Sequence, residues 1–201
     1  MIFFKQLYFS IESAKLIRMQ IMQNTMARTL SGLALAIFFL AGSAGAQAGL
    51  KEGVAAYQKG NYAIALKELR PLADNGDVKA QTLLGEIYDS GKGVPQDHKE
   101  AASWFHKTAA QGDAGAQTYL AVMYERGIGI PQNDREAASW YRKAAEQGSA
   151  EAQFTLGGKY KAGQGIPTDL VQAHKWLNLA AAAGIEIALQ DVEEVEARMS
   201  R

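Results

Sequence analysis

The sequence predicts an all-α protein built from stacked helix–loop–helix units. Two observations lead to this fold class. A 36-residue pattern occurs three times in succession, and within each copy an apolar helical spacing is interrupted by a Gly-x-Gly-x-Pro loop. The 201 residues are also 48% hydrophobic with balanced charge, which is typical of a folded chain rather than a disordered one.

The first helix of each unit is indicated by three residue types that share one helix face. Ala80, Leu84 and Tyr88 lie at intervals of four, and the same types return 36 and 72 residues later. Gly91-Lys92-Gly93 then ends the helix, because glycine adopts the left-handed conformation that a helix end needs. Pro95 cannot continue a helix, so it starts the connection to the next one.

The second helix of each unit has its own start signal. Asp97 and Glu100 fit a capping box, in which an N-cap acceptor and an acid three residues later satisfy two backbone amides. The same spacing returns at Asn133–Glu136 and, with glutamine as the last residue, at Asp169–Gln172. The sequence therefore predicts helices that start at these three places.

Small and large residues alternate on the apolar faces of the two helices. Helices approach closely where one of them presents small residues, and a large ring fills the remaining space. We therefore expect Gly85 and Ala101 to set the helix spacing, while Trp104 and Tyr88 fill volume. The tryptophan recurs in each unit, so we interpret all three tryptophans as core residues rather than a ligand-binding ladder.

The repeats divide the predicted domain, residues 49–201, into four units and a cap. The first unit is degenerate, with a tight turn at Gly60-Asn61 in place of the longer loop. Residues 188–201 start a further copy without a glycine loop, and their acidic amphipathic pattern is typical of a capping helix. The four units lie at about 50–79, 80–115, 116–151 and 152–187.

Residues 26–48 are predicted to be a secretory signal peptide. A positive charge at Arg28 is followed by an apolar run over residues 30–41 and then by small residues ending in Ala46-Gln47-Ala48. This order predicts cleavage near Ala48 and a periplasmic or secreted product.

Two alternatives to this interpretation stay open. Cleavage could instead follow Ala46, and an uncleaved anchor is conceivable because no charge lies between Arg28 and Lys51. Residues 1–25 are out of place ahead of a signal peptide. We expect them to be an extension that results from a misplaced start codon.

The segment from Ala80 to Phe105 resembles the Sel1-like repeat, a relative of the tetratricopeptide repeat. It reads Ala-x-x-x-Leu-Gly-x-x-Tyr-x-x-Gly-x-Gly-Val and continues, two residues on, as Asp-x-x-x-Ala-x-x-Trp-Phe. The resemblance covers residues 80–184 well and residues 50–79 more loosely. It implies an α/α solenoid, a right-handed superhelix of helix pairs, that acts as an adaptor or scaffold. Some cysteine-rich members are linked to β-lactam or peptidoglycan chemistry, but this chain has no cysteine and lacks their disulfide pattern.

Composition and spacing argue against several kinds of site. From Gly49 onward the chain has 17 bases and 20 acids, so no basic block is available for nucleic acid. Gly91-Lys92-Gly93 is not a phosphate loop, because the same glycines recur without lysine and no strand precedes them. His98, His106 and His174 occupy different columns of the repeat, without metal-ligand spacing. We predict no catalytic residue, cofactor or metal.

The columns of the first helices that vary between units are the predicted binding surface. In solenoids of paired helices the first helices usually line the concave binding face. These columns run from acidic through apolar to basic, and we predict that they contact a protein or peptide. The alternative is neutral drift on a solvated face. The candidate residues are Glu86, Asp89, Tyr119, Val122, Met123, Lys159 and Lys161.

These observations together predict an exported, non-enzymatic adaptor or scaffold that mediates protein–protein interactions in the bacterial cell envelope. One alternative is a cell-wall or β-lactam hydrolase, which would require a clustered nucleophile or base in the groove. The other is a membrane-tethered assembly factor, retained by residues 29–50. Contact with a membrane is expected only if the N-terminal segment is not cleaved.

Overall fold

The computed structural model describes residues 46–200. This part of the chain forms nine α-helices and no β-strand. The predicted N-terminal extension, and the signal peptide up to residue 45, lie outside the described residues. Within residues 46–200, helices with the length and apolar character needed to cross a bilayer are absent. The helices are α1 (46–58), α2 (Tyr62–Asp74), α3 (Val78–Ser90), α4 (His98–Ala110), α5 (Ala114–Arg126), α6 (Asp134–Glu146), α7 (Ala150–Ala162), α8 (Leu170–Ala182) and α9 (Ile187–Met199).

Each helix from α2 to α8 packs against the next one along the chain. The odd-numbered helices α1, α3, α5 and α7 are the first helices of their units, and α2, α4, α6 and α8 are the second helices. Because each unit contacts its neighbours, the apolar faces form a continuous core that no single unit could bury alone. This arrangement confirms the predicted α/α solenoid with three full 36-residue units.

The second helices begin at the predicted N-caps. The side chains of Asp97, Asn133 and Asp169 accept hydrogen bonds from backbone amides in the first turn of α4, α6 and α8. The predicted reciprocal hydrogen bond of the capping box, from the N-cap amide back to the acid three residues later, is wrong. The amide of Asp97 donates 2.9 Å to the carbonyl of Tyr88 rather than to Glu100, and equivalent bonds recur in the other two units. This bond ties the start of each second helix to the end of the first.

The glycine loop of each unit also packs on the preceding unit. Gly127 ends α5 with a φ of +69°, which confirms the predicted helix stop. Gly129 lies against the first turn of α4, where a Cβ would overlap the carbonyl oxygen of His98. Gly165 has the same relation to Asp134. The second loop glycine is therefore needed for close approach between units. The sequence pattern predicted only its role in ending the helix.

The tryptophans lie in the core as predicted, and the space over Gly85 and Gly157 is filled by other side chains. Trp104 is 2% exposed. A Cβ on Gly85 would lie 2.9 Å from Phe105 Cζ, and one on Gly157 would lie 2.7 Å from Leu177 Cγ. The residue after the tryptophan therefore fills the space over the glycine, and Trp104 fills volume elsewhere in the core. Because one residue is a turn of about 100° on a helix, Trp104 instead joins the cluster shared with α2.

A ladder of buried glutamines joins neighbouring helices. Gln81 Nε2 donates 2.9 Å to the carbonyl of Ala73, and Gln81 Oε1 accepts 2.8 Å from Gln111 Nε2. Gln117 makes the equivalent bond to a carbonyl of α4 and accepts 2.8 Å from Gln147 Nε2. In both units the buried amide is satisfied by a glutamine that directly follows the second helix.

The fourth unit lacks one half of this arrangement. Gln153 Nε2 donates 3.2 Å to the carbonyl of Ala145, but the residue that follows α8 is Ala183. Gln153 Oε1 therefore has no hydrogen-bond partner. It and Trp176 Nε1 are the two buried side-chain polar atoms within residues 46–200 that lack one.

The two ends of the domain match the predicted degenerate unit and cap. Gly60, with a φ of +76°, makes the tight turn between α1 and α2. At the other end, α9 buries Ala188, Val192 and Val195. Its exposed side carries acids, among them Glu193. A polar outer face keeps the last helix of a solenoid in water rather than against a further unit.

Candidate partner-binding face

The predicted candidate residues lie on three successive first helices. We use the name first-helix face for the surface of α3, α5 and α7 that carries Glu86, Asp89, Tyr119, Val122 and Lys161. Tyr119 is 41% exposed, and the other four residues are half-buried. Val122 packs partly against the core, so its side chain is held in place. The face therefore combines accessible polar groups with a fixed apolar part.

Two of the predicted candidates do not reach this face. Met123 is fully buried and Lys159 is 2% exposed, so the prediction that they contact a partner is wrong. Their column points into the junction between units, where close packing encloses the side chains. Lys159 Nζ lies 2.5 Å from Glu125 Oε1, and the Tyr141 hydroxyl donates 3.1 Å to the other oxygen of Glu125. Lys159 therefore joins the third and fourth units.

The basic end of the predicted strip is neutralised within the chain. Lys161 Nζ lies 2.5 Å from Asp191 Oδ1 and 2.8 Å from Glu194 Oε2, both on α9. These hydrogen bonds raise the pKa of Lys161, and the bond from Lys161 lowers the pKa of the exposed Glu194. The change from acidic to basic residues along the sequence is therefore not a gradient of free charge. Lys161 instead ties the capping helix to α7.

Within residues 46–200, the acidic end is not paired with a lysine or an arginine. Glu86 Oε2 accepts 2.7 Å from the Tyr57 hydroxyl, and Asp89 Oδ2 accepts 2.5 Å from the Tyr119 hydroxyl. His98 Nδ1 lies 2.9 Å from the other oxygen of Asp89. Within the described part of the chain, no lysine or arginine nitrogen lies within 4.0 Å of either carboxylate. The partners of both acids are thus two phenols and an imidazole.

The two phenols remain neutral donors over a wide pH range. Burial, followed by the hydrogen bond and charge of Glu86, raises the pKa of Tyr57 to about 12. Burial and then Asp89 raise the pKa of Tyr119 to about 12 in the same way. We call Tyr57, Glu86, Asp89 and Tyr119 the acid–tyrosine cluster. It presents negative charge beside an exposed aromatic ring, and the ring of Tyr119 is itself packed 4.4 Å from that of Phe105.

Tyr57 is the member of this cluster that the repeat pattern does not identify. The shorter loop of the first unit moves α1 out of the 36-residue register, so Tyr57 has no aligned partner column. The spacing between tyrosines and acids in the sequence could have identified it. Tyr57 precedes Glu86 by 29 residues and Asp89 precedes Tyr119 by 30, so both pairs join a phenol and an acid on successive first helices.

The histidines are dispersed rather than grouped. His106 lies beside Trp140, with ring centroids 5.8 Å apart, and His174 Nε2 lies 2.9 Å from Glu196. Within residues 46–200, no three histidine, aspartate or glutamate side chains lie close enough together to hold a metal ion.

Comparisons with known proteins agree with this geometry. A crystal structure of a Sel1 repeat protein from Oxalobacter formigenes is 37% identical over 70% of this chain and 58% of that chain, with a TM-score of 0.66. A protective antigen of uropathogenic Escherichia coli with an SLR fold is 35% identical over 76% of this chain and 34% of that one, with a TM-score of 0.69. This chain thus spans less than two thirds of either structure. No curated protein matches the sequence significantly.

The family model for the Sel1 repeat matches three consecutive segments, residues 78–113, 114–149 and 150–185. The three segments start at the first residues of α3, α5 and α7, so each one contains a complete helix pair. The unit that the model recognises is therefore the unit that stacks in the structure, and this chain belongs to the Sel1 repeat family.

Proposed function

We propose that this protein is a scaffold that binds a protein or peptide partner on its first-helix face. Sel1 repeat proteins are generally scaffolds for protein–protein interactions. The observation that carries the proposal is the acid–tyrosine cluster, in which Glu86 and Asp89 lie beside the exposed ring of Tyr119 without a lysine or arginine partner among the described residues. Tyrosine is enriched in protein–protein interfaces, where polar groups form the rim around the aromatic contacts.

The face is held in one arrangement before any partner arrives. Glu86 and Asp89 each bond to a tyrosine of a different first helix, and Lys161 bonds to α9. Because the groups are already ordered, binding would cost little conformational entropy. The function that follows is rigid presentation of a surface, with little change of backbone on binding.

We further propose that the scaffold works in the bacterial cell envelope, as a periplasmic or secreted protein. The support for this location is the signal-peptide pattern of residues 26–48, with its A-x-A site at Ala46-Gln47-Ala48. Expression of the full gene in a bacterium, followed by fractionation and N-terminal sequencing, tests it. A mature chain that starts near Gly49 in the periplasm or medium is expected. A full-length chain in the cytoplasm would reject export.

The binding proposal is tested by blocking the face without disturbing the fold. Gly158 on α7 occupies the column of Glu86 and Val122, and no atom lies within 4 Å of the place its Cβ would take. Gly158→Arg therefore adds bulk and charge to the face alone. Ser103→Arg, at an exposed position of α4, is the matched control.

Quantitative affinity capture from an envelope extract compares the wild-type chain with these variants and with Glu86→Lys. Both changes to the first-helix face should remove the same captured partners, because a buried interface does not tolerate an added or reversed charge. The Ser103→Arg variant should retain those partners. Capture that is equal for all four proteins, with circular dichroism showing intact helices, would reject the first-helix face as the binding surface.

A further inference from the structure

The second helices carry a cleft that the first-helix face does not share. It lies between α6 and the glycine loop that follows α7, and its volume of about 800 Å³ is within the range of small-molecule sites. The loop contributes an apolar floor of Ile166 and Pro167. Arg135 and Arg142 are the charged side chains among its lining residues. We call this the arginine cleft; its remaining lining residues are Ser139, Gly163 and Gly165.

The positive charge of the cleft is not compensated. Within the described residues, no carboxylate oxygen lies within 4.0 Å of a guanidinium nitrogen of Arg135 or Arg142. Arg142 Nη2 donates 2.5 Å to the Tyr160 hydroxyl, and its Cζ lies 5.8 Å from the centre of that ring. Arg142 is therefore held towards the cleft while it keeps its full charge, so little side-chain entropy is lost when an anion binds.

The equivalent positions of the other units differ in charge. The preceding unit has Lys99 and His106 in a cleft of about 580 Å³, but Asp97 and Glu100 also line that cleft. In the last full unit the first of these positions is Val171. The purely cationic lining therefore belongs to one unit rather than to the repeat as such.

We propose that the arginine cleft binds an acidic peptide segment, in a polyproline II conformation, with two carboxylates three residues apart. Arg135 and Arg142 are separated by seven residues of α6, which is roughly 10 Å at 1.5 Å per residue. Three residues of polyproline II cover roughly 9 Å at 3.1 Å per residue and complete one turn, so both carboxylates lie on the same face. Each guanidinium can then bind one carboxylate through paired hydrogen bonds, and the Ser139 hydroxyl lies between the two.

An amide NMR titration of the full chain with the synthetic peptide Ser-Glu-Ala-Ala-Glu-Ser tests this inference. Saturable shifts of the amides of Ser139 and Gly165 are expected, because both residues line the cleft. The same peptide with both glutamates changed to glutamine should leave these amides unmoved. Arg135→Gln and Arg142→Gln should each weaken binding by about tenfold, the loss expected for one charge-assisted hydrogen-bonded pair.

The control variant is Lys99→Gln, which removes a cation at the equivalent position of α4 and should leave the affinity unchanged. Both arginines are exposed, so their glutamine variants should fold, and the amide spectrum itself reports whether they do. Several outcomes would overturn the inference: no saturable shift, an equal loss with Lys99→Gln, or equal binding of inorganic phosphate alone. Concentration-dependent self-association that requires Arg135 would assign the cleft to a second copy of the chain instead.

Discussion

The glutamine ladder predicts a single substitution that stabilises the protein. Gln111 and Gln147 follow their second helices with φ and ψ of −81° and 0°, and of −87° and 2°. Ala183 has nearly the same backbone, with −84° and 3°, but no side chain to reach Gln153 Oε1. Ala183→Gln should therefore place an amide donor where the other two units already have one.

The magnitude follows from the buried acceptor. An unsatisfied buried polar group costs about 1–3 kcal/mol. Ordering a glutamine side chain opposes the gain by up to about 1.5–2 kcal/mol, and by less at an exposed position such as Ala183. We therefore expect Ala183→Gln to raise the free energy of unfolding by about 1 kcal/mol. For a chain of this size that corresponds to a rise in Tm of about 2–4 °C.

Urea unfolding followed by circular dichroism measures this change, and an unchanged m-value shows that only the stability differs. The matched control is Gln147→Ala, which removes the donor to Gln117 and should lower the free energy of unfolding by about 1–2 kcal/mol. If Gln147→Ala destabilises and Ala183→Gln has no effect, water satisfies Gln153 and the reasoning fails for the fourth unit. If neither substitution matters, the ladder does not stabilise the stack.

Two further predictions concern α7. Gly157→Ala should destabilise the protein by more than about 1 kcal/mol because the new Cβ would meet Leu177. Gly158→Ala should stabilise it by about 0.5–1 kcal/mol because no atom lies near the new Cβ; thermal unfolding of both variants tests this, and equal effects would refute it. Lys159→Met should be neutral or stabilising, while Glu125→Ala should cost about 2–3 kcal/mol by leaving a buried lysine unpaired; a larger loss for Lys159→Met would contradict this.

The sequence was sufficient for the helices because their signals are local. The N-caps Asp97 and Asn133 and the helix stop at Gly127 each act within a few residues, so reading one unit predicts all three. The reciprocal bond from Glu100 could not be excluded in this way. The competing acceptor for the Asp97 amide is the carbonyl of Tyr88, which comes within reach only when the loop folds back.

The candidate site was predicted in part. The column pattern identified Glu86, Asp89 and Tyr119, which the structure brings together. It could not exclude Lys159, because a lysine in a variable column is ordinarily a solvated residue. The burial of this side chain depends on Glu125, 34 residues earlier, meeting it across the unit junction.

The sequence by itself determined the period, the start and end of each helix and the family, because these depend on contacts within one unit. The tertiary structure alone decided which charges remain free. Lys161 is paired by α9, whereas Glu86 meets only a phenol, and nothing in either local sequence separates the two cases. The physical reason is that each partner lies about 30 residues away, on α1 for Glu86 and on α9 for Lys161, so its position is set by how the units stack.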